Sequence, residues 1–275
     1  MRKFLILIGL VIFTVSCTST SEKSVEEDRV VSEEKSLSIQ AILDSNKLNG
    51  SVLILDDSLH KFYSNNFEWS KKSQLPASTF KIPNSIIGLE SGVVNDSTIF
   101  KWDGEKRFLK SWEEDLNLAQ AFKRSCVPCY QEVARGVGVD NMKEWLNKIG
   151  YTGMVVTPDS IDTFWLTGNS RISPLEQIHF LRKLDKKQLP ISSKTYAKMR
   201  DIMLLETGLN YELRAKTGWS QDGKENGWFV GYLEIEGKTY YFATNVEPKA
   251  DFDMSNFGKI RSIVTKESLS VLGIL

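Results

Sequence analysis

Segments with the composition of β-strands lie at both ends of this chain, and helical periodicity fills the stretch between them. Residues 50–55 and 59–64 are short apolar or alternating runs joined through Asp57 and Ser58, the pattern of a hairpin. Residues 212–217, 226–234 and 239–245 are rich in β-branched and aromatic side chains, with turn residues such as Glu236-Gly237 between them. From about residue 95 to 205 the apolar spacing is helical, and helices are expected over 116–124, 131–137, 141–149, 174–184 and 193–204. Further helices are expected over 38–48, 78–90 and 257–271. Strands so far apart in sequence share a sheet only if the helical stretch is inserted between them as a lobe of its own. The expected class is therefore α/β of the α+β type: a mainly antiparallel sheet flanked by helices, beside an all-helical lobe. A cleft between sheet and lobe is the natural place for a site.

The two ends of the chain differ. Arg2 and Lys3 precede an almost continuously apolar run from Phe4 to Val15, too short to span a bilayer comfortably, which reads as a secretory signal. Cys17 follows Thr14-Val15-Ser16, a placement that resembles a lipoprotein signal and would put a lipid on Cys17 and the protein at a membrane. Thr14 departs from the aliphatic residue usual there. Residues 18–36 are polar, glutamate-rich and without hydrophobic period, as a flexible tether would be, and the folded domain is expected over 37–275. Hydrophobic residues make up 41% of the chain, ample for a core, and the formal net charge is +0. No global field draws nucleic acid or an anionic membrane surface.

Few residues are available for chemistry. Apart from Cys17 there are Cys126 and Cys129, in Ser-Cys-Val-Pro-Cys, and the only histidines are His60 and His179. That set makes a four-ligand zinc site hard to assemble, and no metal is expected. The C-x-x-C pair is read as buried thiols or a local disulfide. His60 lies in a strand-like run and His179 inside a helix, so a histidine base is not expected. If a serine is activated, its base is a lysine. Ser78-Thr79-Phe80-Lys81 offers the pair on one face of a helical turn, with Pro83 in the early part of the helix. Ser32-Glu33-Glu34-Lys35 has the same spacing, but in the charged tether, where its lysine would stay solvated and protonated. Lys81 is followed by Ile82-Pro83 and sits among apolar residues, so burial would favour the neutral amine. Lys216-Thr217-Gly218 ends a strand. Lys216 would supply positive charge, Thr217 a hydroxyl, and Gly218 room for a ligand along the backbone.

Ser-x-x-Lys upstream and Lys-Thr-Gly downstream resemble the penicillin-recognising serine enzymes. Between them no Ser-Asp-Asn is found. Ser125-Cys126-Val127 stands there instead and resembles the S-x-V element of the class D β-lactamases, the oxacillinases. Residues 76–84, 161–166, 216–219 and 227–231, with Arg261 before a C-terminal helix, extend the resemblance over most of the chain. It implies the penicillin-binding serine transferase/β-lactamase fold and hydrolysis of a β-lactam substrate. It implies Ser78 as nucleophile and Lys81, carboxylated by CO2 or bicarbonate, as general base, with the indole N–H of Trp165 holding the carbamate. Val127, Phe80 and Trp165 would keep the pocket dry. Ser125 and Lys216 would relay a proton, the N–H groups of Ser78 and Trp219 would form an oxyanion hole, and Thr217 and Arg261 would bind the substrate carboxylate. Tyr151-Thr152-Gly153 departs from the family's Tyr-Gly-Asn and bears on the shape of the rim. A cell-wall transpeptidase and a non-hydrolytic β-lactam sensor share the acylation parts. Trp165 and the S-x-V element argue against the first, and the lack of transmembrane helices and a signalling module against the second. Oligomeric state is not legible.

Overall fold

The computed structural model describes residues 31–275. The expected signal segment and Cys17 lie outside those residues. The strand-like runs from both ends of the chain do pair into one sheet. Its strands are β1 (Ser32–Lys35), β2 (Leu48–Asp56), β3 (Lys61–Ser64), β6 (Leu204–Thr207), β7 (Tyr211–Ser220), β8 (Asn226–Ile235) and β9 (Lys238–Pro248), in the order β1-β3-β2-β9-β8-β7-β6. All neighbours are antiparallel except β1 and β3. The long central register, Val52 opposite Thr244 and Val230 opposite Ala243, joins the two ends of the chain.

Alternation along these strands sends side chains to two covered faces. Val52, Ile54, Phe229, Leu233 and Phe242 pack against Ile39 and Leu43 of α1 (Leu37–Ser45) and Val264 of α9 (Phe257–Val271). Leu53, Leu55, Trp228, Val230, Tyr232 and Tyr241 face the opposite way, into a core shared with the remaining helices. Those are α2 (Phe67–Lys71), α3 (Lys81–Glu90), α4 (Leu118–Lys123), α5 (Val127–Val137), α6 (Val139–Lys148), α7 (Pro174–Asp185) and α8 (Ser193–Ile202). Among the described residues, no helix is long and apolar enough to cross a membrane.

The structure corrects the expected outline in four places. The polar stretch read as a tether up to Ser36 ends earlier, because Ser32–Lys35 adds β1 to the sheet edge, with all four residues exposed. Its charges suit an edge strand, where they oppose further pairing. Ser36 then caps α1, accepting the Ile39 N–H at 3.3 Å. The helix expected to reach Leu48 stops at Ser45, and Leu48 opens β2. The lobe is not all helical: β4 (Ile99–Phe100) pairs with β5 (Leu116–Asn117), taking the first two residues expected in a helix. Finally, α7 lies on the sheet, against β8 and β9, although its sequence position put it in the lobe. A capping box of Ser173 and Glu176, with Pro174 at the first helical position, starts it.

Candidate active site

The segment that carries Ser78 is not α-helix at its start. Ala77–Phe80 forms a 3-10 turn that runs into α3 at Lys81. In a 3-10 turn side chains three apart eclipse, so Ser78 and Lys81 meet directly: Lys81 Nζ donates to Ser78 Oγ at 2.9 Å. Pro83, third in α3, costs no helical hydrogen bond there, since N–H groups of the first turn have no partner within the helix. Lys81 is wholly buried, against the face of Tyr130, whose ring centroid is 5.2 Å from Nζ. Burial, and secondarily the charge of Lys216, hold Lys81 far below the ordinary lysine range. Burial thus disfavours the ammonium form, the direction expected from the apolar sequence around Lys81.

Ser125 and Lys216 come together from elements 91 residues apart, Lys216 Nζ donating to Ser125 Oγ at 2.9 Å and to the Thr217 carbonyl at 3.1 Å. Burial, then the charge of Arg261, lower Lys216 to about 7. Ser125 has a φ of 56°, left-handed backbone that side-chain-bearing residues adopt at a cost. Hydrogen bonds hold it there: Ser125 N–H to Phe122 at 3.1 Å, Cys126 N–H to Ala121 at 2.9 Å, and the Trp112 indole to the Arg124 carbonyl at 2.9 Å. Cys126 is the N-cap of α5 and is disulfide-bonded to Cys129. Of the two readings of the C-x-x-C pair, the local disulfide is the one found. Val127 opens α5 and is half-buried.

Among the described residues, β7 has no strand partner on its outer side beyond Arg214, and past the Ala215 N–H, which donates to the Met203 carbonyl at 3.0 Å, that edge is open. Gly218 lies there against the nucleophile segment: an added Cβ would stand 3.1 Å from the Pro76 carbonyl and 3.1 Å from Thr79. Thr217 is half-buried and Trp219, 38% exposed, lies at the rim. Arg261, from α9, is buried, and its guanidinium donates to the carbonyls of Gly218 and Gly258. Gly227 makes its room, since a Cβ there would stand 2.5 Å from Arg261 Cδ. Burial lowers Arg261 to about 10. Lys81, Lys216 and Arg261 thus converge, and among the described residues none of them has a carboxylate partner.

Trp165 sits in the turn segment after Ser160 and stacks on Phe80, ring centroids 5.3 Å apart. It is fully buried, and its Nε1–H has no hydrogen-bond acceptor among the described residues. Helix α5 ties that segment down: Gln131 donates to the Asp162 carbonyl at 3.1 Å, and Arg135 pairs with the Asp162 carboxylate at 2.7 Å. Sequence reasoning passed over Tyr130, whose hydroxyl shares a 2.7 Å hydrogen bond with Ser85, and Gln177, which donates to Thr79 at 2.9 Å. Both lie in helices expected from the sequence or at their edge, but nothing local marked the face on which they end. Tyr151 is buried in the core against Phe80 and Phe180, so the departure at 151–153 brings only Thr152 and Gly153 to the surface. His60 occupies the β2–β3 turn and His179 packs edge-on against Phe62, 6.3 Å between centroids. The second Ser-x-x-Lys, Ser32 and Lys35, lies exposed on β1.

Comparison with known proteins agrees with this geometry. A family model described as the penicillin binding protein transpeptidase domain matches residues 45–270. Beta-lactamase OXA-48 of Klebsiella pneumoniae is 40% identical over 225 residues, 81% of this chain and 83% of that protein. Beta-lactamase OXA-10 of Pseudomonas aeruginosa is 36% identical over 269 residues, 94% of this chain and 96% of that one. The crystal structure of the class D β-lactamase YbXI from Nostoc superposes with a TM-score of 0.81 at 42% identity, covering 86% of this chain and 99% of its own. The class D β-lactamase from Sebaldella termitidis gives 0.84 at 36% identity, covering 89% and 99%.

Proposed function

Because the chain belongs to the class D β-lactamases, we propose that it hydrolyses the β-lactam ring of penicillin-type antibiotics through an acyl-enzyme on Ser78, with Lys81, N-carboxylated by CO2, as general base. Such turnover confers antibiotic resistance. The observation that carries the reading is the Ser78–Lys81 contact at 2.9 Å in a pocket where Lys81 is wholly buried.

Two features fit carboxylation of Lys81. Burial disfavours the ammonium form of its amine, and a neutral nitrogen has the lone pair that adds CO2. The buried Trp165 N–H lacks an acceptor among the described residues, and an anionic oxygen on Lys81 would give it one. The group supplies a carboxylate-like base within a dry pocket, walled by Phe80, Val127 and Trp165. Ser78 Oγ gives up its proton on the Lys81 side and attacks the lactam carbonyl. The N–H groups of Ser78 and Trp219 take the oxyanion. Ser125, held by Lys216, passes a proton to the leaving nitrogen, and Lys216 near 7 suits that exchange at neutral pH. Thr217 and Arg261 receive the substrate carboxylate, and Gly218, where a Cβ would crowd Pro76 and Thr79, lets β7 lie close to the nucleophile segment. Water then releases the acyl group. The reading calls for no metal.

The amino-terminal sequence supports export across the inner membrane to the periplasm, with Cys17 as the residue that would carry a lipid anchor. The Cys126–Cys129 disulfide fits an oxidising compartment.

The test is steady-state hydrolysis of a chromogenic cephalosporin by the purified protein, with and without added bicarbonate. Turnover that rises with bicarbonate is expected. Stoichiometric acylation without turnover would overturn the hydrolase reading in favour of a β-lactam binder. Turnover indifferent to CO2 would remove the carboxylated lysine but leave the enzyme.

A further inference from the structure

We propose that the Cys126–Cys129 disulfide is a positioning device for Ser125, locking the left-handed segment before α5 so that the serine hydroxyl stays on Lys216 and protonates the leaving nitrogen. The proposal rests on the proton-relay reading of Ser125 given above.

Cys126 is bonded in sequence to Ser125 on one side and Val127 on the other. Its Sγ holds α5 twice, through the bond to Cys129 Sγ and by accepting the Cys129 N–H at 3.2 Å. An N-cap needs only the second contact, which serine or aspartate supplies as well. The covalent link therefore does something besides capping. It closes a loop of three peptide steps, and such short loops restrict the unfolded chain least, so its effect on global stability is small. What it restricts is local. Cys129 precedes Tyr130, whose carbonyl accepts from buried Asn84 of α3 at 3.1 Å and whose ring covers Lys81. The disulfide thus ties the backbone of Ser125 to the first turn of α5, which Tyr130 fixes against the Ser78–Lys81 helix. Ser125 sits at a φ of 56°, from which its backbone would relax if the segment loosened. Both sulfur-bearing side chains are buried, so the link is sheltered in the folded enzyme.

The test compares two substrates. A penicillin expels an amine nitrogen that must be protonated, whereas a cephalosporin expels a conjugated nitrogen that depends less on proton delivery. The double substitution Cys126→Ser with Cys129→Ala, which removes the link and keeps an N-cap acceptor, should lower kcat for the penicillin about 10-fold, with KM within about 2-fold, and leave the cephalosporin within about 2-fold. The enzyme held in excess dithiothreitol until thiol counting after denaturation shows Cys126 and Cys129 both reduced, then assayed without alkylation, should behave likewise. There the dithiol gives two electrons and two protons to the Sγ–Sγ bond, leaving two thiols as it closes its own disulfide. This arm carries the comparison if the double variant does not fold. Ser125→Ala fixes the scale and should show the same asymmetry, larger. Unchanged kinetics in the cysteine variant and in the reduced enzyme overturn the proposal. So does an equal loss on both substrates accompanied by a lower Tm, which marks a purely structural role. A Ser125→Ala enzyme without the asymmetry overturns the relay reading, and this proposal with it.

Discussion

Lys216→Met should make the protein more stable at neutral pH while abolishing useful turnover. Methionine keeps the length and much of the apolar volume of lysine and cannot ionise. The folded protein lowers Lys216 from 10.5 to about 7, chiefly by burial. Between those two values the unfolded chain binds more protons at this position than the folded one, so the wild type gains stability as pH rises. Worked through the linkage relation, the folded ammonium costs about 5 kcal/mol well below pH 7, about 4 kcal/mol at pH 7 and about 2 kcal/mol at pH 9. The substitution removes that cost together with the hydrogen bonds to Ser125 Oγ and the Thr217 carbonyl, each worth about 1 kcal/mol. The variant should therefore exceed the wild type by about 2 kcal/mol at pH 7, or about 4–8 °C in Tm, and match it near pH 9. Thermal and urea unfolding of both proteins at a series of pH values from 6 to 9 reads this directly. A variant less stable than wild type at pH 7, or a stability difference that does not change with pH, would refute the claim that a buried, proton-poor lysine stands at this position.

Three other outcomes follow from the same geometry. Trp165→Phe keeps the stack on Phe80 but removes the unpartnered Nε1–H; it should raise the bicarbonate needed for half-maximal turnover by about 10–100-fold, the worth of one hydrogen bond to a charged group, and weaken the carbamate signal of protein equilibrated with 13C-bicarbonate. Arg261→Ala should raise KM about 10–100-fold for a substrate with a free carboxylate and much less for its neutral ester, because this buried guanidinium lacks an acidic partner among the described residues. Gly227→Ala drives a Cβ to 2.5 Å from Arg261 Cδ and 2.9 Å from Phe257 Cζ; overpacking of that kind costs about 1–3 kcal/mol, and a Tm equal to wild type would contradict it.

What could be foreseen in the sequence was what local rules determine. The three-residue spacing of Ser78 and Lys81 was enough to make them neighbours, whether the turn was α or 3-10. The apolar company of Lys81 foretold its burial, and α9 spans the residues expected of it. Elements that depend on distant partners were illegible. Ser32–Lys35 has no apolar alternation to mark a strand and exists as one through its backbone pairing with β3. Leu204–Thr207 is four residues with a bulge, held by β7. The start of helix α7 carries a capping box, but nothing in its periodicity said that it would leave the lobe for the sheet. The disulfide needed Cys126 to cap α5, which places the two Cα atoms 5.5 Å apart, a distance spacing alone does not fix.

The site is where the local rules are broken together, and the breaches share one direction. Ser125 sits in left-handed backbone, Trp165 buries an N–H without an acceptor, and Lys81, Lys216 and Arg261 are buried cations or amines without a carboxylate among the described residues. Each feature alone opposes folding. Every one of the polar breaches would be relieved by added negative charge, and none by another cation. A core selected for stability alone would replace these cations by apolar residues, as Lys216→Met does, or pair them with a carboxylate, as Glu234 pairs with the buried Arg214 of β7. With such a carboxylate, Lys81 would be a permanent ammonium, unable to take a proton from Ser78 or to add CO2. The missing carboxylate is therefore the feature on which the chemistry depends. It keeps the amine reactive and leaves the pocket deficient in negative charge, a deficit that a carboxylated lysine at one end and a substrate carboxylate at the other would fill.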